Sequence, residues 1–225
     1  FLYELFRELA RHVDSVVLCN RVENRGRFPI RDLYQVSDAV LADAGGVELA
    51  AAEARRRWNP QVVHAHFGWS GTRAAPLAWA LRSPLVVTFG GRDVHHEMHR
   101  PAQAPLYAAL LAVAARVICV SDDLRRRVLD RGVPPDRVVV IHRGTDLERF
   151  RFANRGERRD RSLLRLLMVG RLVEKKGHAD ALAAVASLAR AGGALHLTVV
   201  GDGELRQPLL EACRGLGIER LVTLA

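Results

Sequence analysis

Residues 164–177 read Leu-Arg-Leu-Leu-Met-Val-Gly-Arg-Leu-Val-Glu-Lys-Lys-Gly, and this stretch decides the predicted fold. The mostly apolar run at 163–169 stops at Gly170, which predicts a buried strand. Apolar residues recur at helical spacing soon after Gly177, which predicts a helix there. Strand, glycine-bounded loop and helix form the repeating unit of an open α/β sheet, where ligands bind at the carboxyl ends of the strands.

The loop between this strand and helix carries Arg171, Lys175 and Lys176. The chain has 34 basic residues, and this adjacent pair contains its only lysines. A guanidinium and an ammonium beside a helix N-terminus suit a phosphate or diphosphate group. The alternative is a solvated loop whose charges bind nothing in particular.

Short apolar strands alternate with helices along most of the remaining chain, which predicts βαβ units and parallel sheets. Residues 151–162 break the alternation, because they are polar and charged with almost no aliphatic side chains. We therefore predict one α/β domain at 1–150, a linker at 151–162 and a second α/β domain from 163 to 225. Two such domains would enclose a cleft, a usual place for a ligand. Strands are expected at 15–19, 62–65, 85–89, 117–120, 137–141, 163–169, 195–200 and 221–224, and helices at 47–58, 71–81, 105–115 and 121–131.

The composition is that of a globular protein, with 26% charged and 49% hydrophobic residues among 225. The net charge of +9 is spread along the chain, which favours anionic ligands or a membrane surface but provides no compact arm for nucleic acid. Three distant cysteines indicate small core residues in a reducing compartment. No apolar run approaches the ~18 residues of a transmembrane helix, and no signal peptide is visible. The abrupt helical start predicts that the natural N-terminus lies further upstream.

Polar clusters end two strands of the first domain. His64 and His66 end one strand, and Gly90, Gly91 and Arg92 end the next. Carboxyl ends of parallel strands share one edge, so these residues are expected on the ligand-binding side. Either histidine could act as a general base or a hydrogen-bond donor, and Arg92 could meet an anion. The alternatives are packed histidines, simple turns and a solvated arginine.

Two further patterns give weaker signals. His95, His96 and His99 contain an i, i+4 pair, but their spacing does not match the zinc-protease motif and no further ligand is evident, so no metal is expected. The turn Gly201-Asp202-Gly203 has only two glycines of a dinucleotide fingerprint. It could still line the same pocket as the Lys176 loop.

Five motifs in sequence order carry a family resemblance. They are His-Ala-His-Phe-Gly at 64–68, Thr-Phe-Gly-Gly-Arg-Asp at 88–93, Val-Ser-Asp-Asp-Leu at 120–124, Arg-Gly-Thr-Asp-Leu-Glu-Arg-Phe at 143–150 and Val-Val-Gly-Asp-Gly-Glu at 199–204. Together with Gly-Arg-Leu-Val-Glu-Lys-Lys-Gly at 170–177, they resemble the retaining GT-B glycosyltransferases of family 4.

The resemblance implies two Rossmann-like domains of GT-B type, the second incomplete, and transfer of a sugar from a nucleotide-sugar donor to a glycan or lipid-linked acceptor. Gly170, Arg171 and Lys176, with the turn at 201–203 (Gly201, Asp202, Gly203), match the donor side. Arg171 and Lys176 match the positions that contact the diphosphate, where their charges would stabilise the leaving group without a metal. His66, Gly90, Gly91 and Arg92 match the acceptor side.

The chain departs from the family pattern at three places. Gly90 stands where family members commonly have histidine. The glycine-rich acceptor loop would precede residue 1, and the glutamate pair that engages the donor sugar would follow residue 225. Glu211 and Glu219 have the spacing of that pair but precede the last strand, so the match is a coincidence. The stretch alone is therefore expected to bind nucleotide without transferring sugar.

Relatives that build polysaccharide or glycolipid suggest a cytoplasmic enzyme at the inner face of the plasma membrane, with an arginine-rich surface near anionic lipid. Two other classes stay open. A nucleotide-dependent oxidoreductase could use a similar sheet, although the Gly-x-Gly-x-x-Gly fingerprint is missing. A non-catalytic basic protein could bind polyanions, with an affinity that falls steeply with salt.

Overall fold

The computed structural model describes residues 2–21, 26, 29–30, 32–152 and 162–225. The chain divides into two compact units, Phe1–Thr145 and Asp146–Ala225, each of which is described by itself. The predicted boundary at 150/151 and the linker at 151–162 stay predictions, since residues 153–161 lie outside the described part.

The first unit contains two parallel sheets in the described residues. Strands β1 (Val17–Cys19) and β2 (Leu33–Gln35) pair with each other. A four-stranded sheet runs in the order β3-β4-β5-β6, with β3 at Val63–His66, β4 at Leu85–Phe89, β5 at Arg116–Cys119 and β6 at Val138–Val140. The helices are α1 (Leu2–Leu9), α2 (Asp38–Ala42), α3 (Ala44–Arg57), α4 (Gly68–Leu81), α5 (Arg92–His95), α6 (Ala104–Val113) and α7 (Asp122–Leu129).

Helices pack against the four-stranded sheet, and its inner strand β4 is apolar because it is buried beneath them. Leu85, Val87 and Phe89 of β4 are buried, and Tyr107 of α6 stacks near Phe89 with ring centroids 6.2 Å apart. Gly71 of α4 permits close packing, since a Cβ there would lie 2.8 Å from Leu110. The helices thus approach the sheet closely and leave its carboxyl edge to the loops.

The second unit has a three-stranded parallel sheet in the order β7-β8-β9, formed by Leu164–Val169, Leu195–Val200 and Val222–Leu224. Strands β7 and β8 pair along their whole length, from Leu164 with Leu195 to Val169 with Val200. Helices α8 (His178–Arg190) and α9 (Arg206–Leu216) make the connections. The repeated strand–helix order and the parallel pairing confirm the predicted α/β class in both units.

The structure moves two predicted helix starts. The helix expected from residue 47 begins at Ala44, because the Asp43 carboxylate accepts a hydrogen bond from Gly46 N at 2.7 Å and caps it. The separate short helix α2 before it was not predicted. The helix expected from residue 71 begins at Gly68, directly after Phe67.

Candidate functional site

The loop between β7 and α8, residues 170–177, is held to the turn at 201–205 by backbone hydrogen bonds; we name it the 170–177 loop. Gly170 N donates to Val200 O at 3.0 Å and extends the ladder by one bond. Leu172 is fully buried; its N–H donates to Asp202 O at 2.9 Å and its carbonyl accepts from Leu205 N at 3.0 Å. The predicted proximity of the Gly201–Gly203 turn to this loop is therefore present in the structure.

Gly201 and Gly203 allow this close approach. A Cβ at Gly201 would collide with the carbonyl oxygen of Gly170, and one at Gly203 would lie 2.5 Å from the carbonyl oxygen of Leu172. Both glycines have positive φ angles, 154° and 156°. The turn thus requires glycine for conformation and for space, which explains the pattern without a dinucleotide fingerprint.

His178 fixes the far end of the 170–177 loop and was not predicted as a site residue. Its ring is 2% exposed, and Nε2 donates to Arg171 O at 2.9 Å. Nδ1 is buried with no hydrogen-bond partner in the described part of the chain. Gly177 adopts the left-handed conformation (φ 68°) immediately before it and starts α8. A histidine at the first position of a helix after glycine was the available signal in the sequence.

Lys176 lies over the end of β7. The Cβ position of Gly170 is 3.8 Å from both Cδ and Cε of Lys176, so the lysine stem crosses the strand end. Arg171 and Lys176 are both exposed, and neither side chain forms an ion pair within the described residues. Unpaired cations at a strand's carboxyl end, beside the N-terminus of a 13-residue helix, can bind an anionic group.

In the first unit, His64 and His66 lie on β3 and not beyond its end. His64 Nε2 is 2.8 Å from Thr88 Oγ1, and the two imidazole rings are 4.3 Å apart. His66 also meets Phe6 edge-on at 5.5 Å, and its Nε2 is buried without a partner in the described part. Burial, with a smaller effect from His64, lowers the pKa of His66 to about 4. His66 is therefore neutral near pH 7, a state in which it can accept or donate a hydrogen bond.

The segment after β4 is organised by Asp93, which was quoted in a motif but not predicted as a site residue. Its carboxylate accepts a hydrogen bond from Gly90 N at 2.8 Å and is 2% exposed. Burial raises the pKa of Asp93, while the backbone N–H groups of Gly90 and Gly68 oppose that rise. Gly91, with φ 107°, precedes α5. Arg92 is exposed and forms an ion pair with Glu97 at 3.0 Å, which an anion would have to displace.

The three neighbouring histidines do not converge. His95 and His99 are on different helical segments, because α5 ends at His95 and a 3₁₀ turn covers Glu97–His99. His95 Nε2 lies 3.3 Å from Asp123, and His99 Nδ1 lies 3.0 Å from the Arg131 guanidinium. Within the described ranges, no group of three or more His, Cys, Asp or Glu side chains is arranged to hold a metal ion. His95 and His99 therefore do not share a helix face, because α5 ends at His95.

Two parallel-sheet α/β units, one with a cationic loop at its carboxyl edge, match the fold of the GT-B class of glycosyltransferase. The family models agree. Residues 1–149 match the model described as Glycosyltransferase Family 4, and residues 151–225 match Glycosyl transferases group 1. The chain therefore belongs to the family 4, group 1 glycosyltransferases.

Curated relatives include enzymes of bacterial polysaccharide synthesis. The chain is 29% identical to the putative colanic acid biosynthesis glycosyltransferase WcaL of Salmonella typhimurium, across 68% of this chain and 37% of that protein. It is 29% identical to the amylovoran biosynthesis glycosyltransferase AmsK of Erwinia amylovora, across 71% and 39%. Identity to glycogen synthase of Mycobacterium tuberculosis is 30%, across 75% and 42%. The chain thus spans about two fifths of these relatives.

Solved structures share the fold. Anabaena HepE in complex with UDP-glucose superposes with a TM-score of 0.75 at 16% identity, covering 100% of this chain and 64% of that one. The apo form of the lipopolysaccharide outer core galactosyltransferase WaaB gives 0.69 at 15% identity, covering 98% and 60%. No helix in the described part of the chain is both long and apolar enough to cross a membrane.

Proposed function

We propose that the chain belongs to a retaining glycosyltransferase that moves a sugar from a nucleotide-sugar donor to a glycan or lipid-linked acceptor in polysaccharide or glycolipid synthesis. The observation that carries the proposal is the 170–177 loop, where two cations that form no ion pair within the described residues lie beside a helix N-terminus. The names of the relatives, which include colanic acid and amylovoran transferases, support the polysaccharide setting. Bound UDP-glucose in HepE supports the donor class.

Arg171 and Lys176 are assigned to the donor diphosphate. As the glycosidic bond breaks, negative charge develops on the leaving diphosphate, and two fixed cations stabilise it more than they stabilise the bound donor. Because these cations supply the charge that a divalent metal would otherwise supply, we expect no metal requirement. Gly170 and the Gly201–Gly203 turn bring backbone close to the nucleotide, with Asp202 at the tip of the turn.

The carboxyl edge of the first sheet is assigned to the acceptor. His66 is the neutral hydrogen-bonding group there, and Gly91, where an added Cβ would meet nothing within 4 Å, leaves room for a sugar beside Gly90. Arg92 can bind an anionic acceptor only after it leaves Glu97. We place the enzyme in the cytoplasm at the inner face of the plasma membrane, where the net charge of +9 favours contact with anionic lipid.

The test compares Lys176→Ala with its matched neighbour Lys175→Ala by calorimetric titration with UDP. A charge-assisted hydrogen bond contributes about 1.5–3 kcal/mol, so Lys176→Ala is expected to weaken UDP binding by about tenfold to a hundredfold. Lys175→Ala is expected to bind like the parent chain, since the structure places only Lys176 over Gly170. An equal loss of UDP affinity in both variants would show that the loop is only a nonspecific basic patch. Stronger binding of NADH than of UDP would favour the oxidoreductase alternative.

A further inference from the structure

Phe67, between β3 and α4, has a backbone conformation that a bulky residue rarely adopts. Its φ is 73° and its ψ is 146°, a region occupied almost only by glycine. Two hydrogen bonds hold it there: Phe67 N donates to Thr88 O at 2.8 Å, and Phe67 O accepts from Gly71 N at 3.0 Å. Such strain typically costs ~1–3 kcal/mol and persists mainly where a side chain must be presented to a ligand.

The strained conformation directs the ring of Phe67 over Gly90. A Cβ at Gly90 would lie 2.9 Å from Phe67 Cε1 and 3.0 Å from Arg143 Nη2, closer than ordinary contacts. Residues 67 and 90 are therefore interdependent: a side chain at position 90 would require the Phe67 ring or the Arg143 guanidinium to shift.

Trp69, in the first turn of α4, extends the aromatic surface. The rings of Phe67 and Trp69 are nearly parallel, at 5°, with centroids 6.3 Å apart, and Trp69 is 46% exposed. The Arg73 guanidinium lies 5.6 Å from the indole centroid and pairs with Asp38 at 3.2 Å. Asp38 also accepts from the Asn20 side chain at 3.2 Å. The guanidinium thus lies over one face of the indole, and a carboxylate and an amide lie beside the guanidinium.

We propose that Phe67 and Trp69 form a stacking surface for a pyranose ring of the acceptor, a proposal that rests on the proposed function. A sugar ring has an apolar C–H face that packs on an aromatic ring and hydroxyl groups at its rim that need hydrogen-bond partners. The surface provides both, and it adjoins Gly90 at the carboxyl edge of the first sheet, where acceptor binding is assigned.

The first test is an NMR titration of the chain with the methyl glycosides of glucose, galactose, mannose and fucose. The chain has three tryptophans, Trp58, Trp69 and Trp79, so the three indole N–H signals can be assigned by single substitutions. At least one sugar is expected to shift the Trp69 signal saturably and to leave the other two unchanged. Absence of a Trp69 response to all four sugars, or an equal response at Trp79, would overturn the proposal.

The second test uses a matched pair within one helix. Trp69→Ala is expected to weaken binding of the responding sugar about tenfold, whereas Trp79→Ala, which removes an 83% exposed indole from the same helix, is expected to have no effect. Gly90→Ala is also expected to weaken sugar binding, but to weaken it less in the Phe67→Ala background than in the parent, since one of the two groups that the Cβ meets is then gone. Additive losses would contradict the coupling.

A UDP titration of the same variants separates this inference from the function on which it rests. Trp69 and Phe67 lie in the first unit, so the Trp69→Ala and Phe67→Ala variants are expected to bind UDP like the parent chain. If the parent binds UDP and no sugar, the stacking surface is wrong while the donor assignment stands. If it binds neither, the proposed function fails as well.

Discussion

Gly201→Ala is the substitution for which the structure gives the clearest expectation. Gly201 follows β8 with φ 154°, and an added Cβ would collide with the carbonyl oxygen of Gly170. The obstructing atom is backbone, so no flexible side chain can move away. The ends of β7 and β8 must therefore separate.

The cost can be assembled from two contributions. An alanine at such a φ carries ~1–3 kcal/mol of strain. Separation of the strand ends also weakens the 2.9 Å hydrogen bond from Leu172 N to Asp202 O, which contributes about 1 kcal/mol. We expect Gly201→Ala to lower the free energy of unfolding of the second unit by about 2–4 kcal/mol and to weaken UDP binding.

The matched control is Gly215→Ala, in α9. A Cβ at Gly215 meets nothing within 4 Å, and alanine is favoured over glycine in a helix by up to ~1 kcal/mol, so this variant should be slightly more stable than the parent. The assay is amide hydrogen exchange of β8 under increasing urea, which reports on the second unit alone. A Gly201→Ala variant as stable as Gly215→Ala would refute the contact between the two turns.

Three further predictions concern the first unit and the boundary. Because burial lowers the pKa of His66 to about 4 from 6.5, stability should fall as the pH drops through that window, by about 1–3 kcal/mol once solvent screening of the partly exposed ring is allowed for; His66→Gln should reduce this dependence in pH-resolved urea unfolding, with a part left to His64, and an unchanged slope would contradict it. The free energy of unfolding of Phe67→Gly should be ~1–2 kcal/mol higher than that of Phe67→Ala, because glycine relieves the strain at φ 73°. Equal free energies of unfolding would show that residue 67 carries no strain. Brief trypsin digestion should cut first between residues 151 and 161, and a first cut within 117–141 would contradict the two-domain division.

The sequence predicted the positions of strands better than their burial. Strand β7 was predicted to be buried, which is wrong: Leu164, Leu167 and Val169 are each more than half exposed, and β7 is an edge strand of the sheet in the described residues. Strands β4 and β8 occupy the predicted residues, 85–89 and 195–200, because a short apolar run bounded by proline or glycine has few other interpretations. Prediction failed where one side chain sets the boundary. Helix α3 begins three residues before its expected start because Asp43 caps it. Helix α4 begins directly after Phe67, whose positive φ could not be predicted from residue preferences.

The sequence predicted the charged residues of the candidate sites, but it did not predict the residues that hold the neighbouring backbone in place. Arg171 and Lys176 stood out by residue type and by their place after a strand. The residues that hold the site, His178 and Asp93, were missed because each acts through a tertiary contact: His178 with Arg171 O, and Asp93 with Gly90 N. Helical periodicity also suggested that His95 and His99 share a face, whereas the chain leaves the helix between them.

The assignment of Arg171 and Lys176 to a diphosphate is tested most directly by comparing UDP with UMP. The two nucleotides share base, ribose and one phosphate, so their difference in affinity isolates the second phosphate. Calorimetry should show that the parent chain binds UDP at least tenfold more tightly than UMP, at about 1.4 kcal/mol per tenfold, and that the double variant Arg171→Ala/Lys176→Ala binds both equally weakly. A double variant that still prefers UDP by the full margin would contradict the assignment.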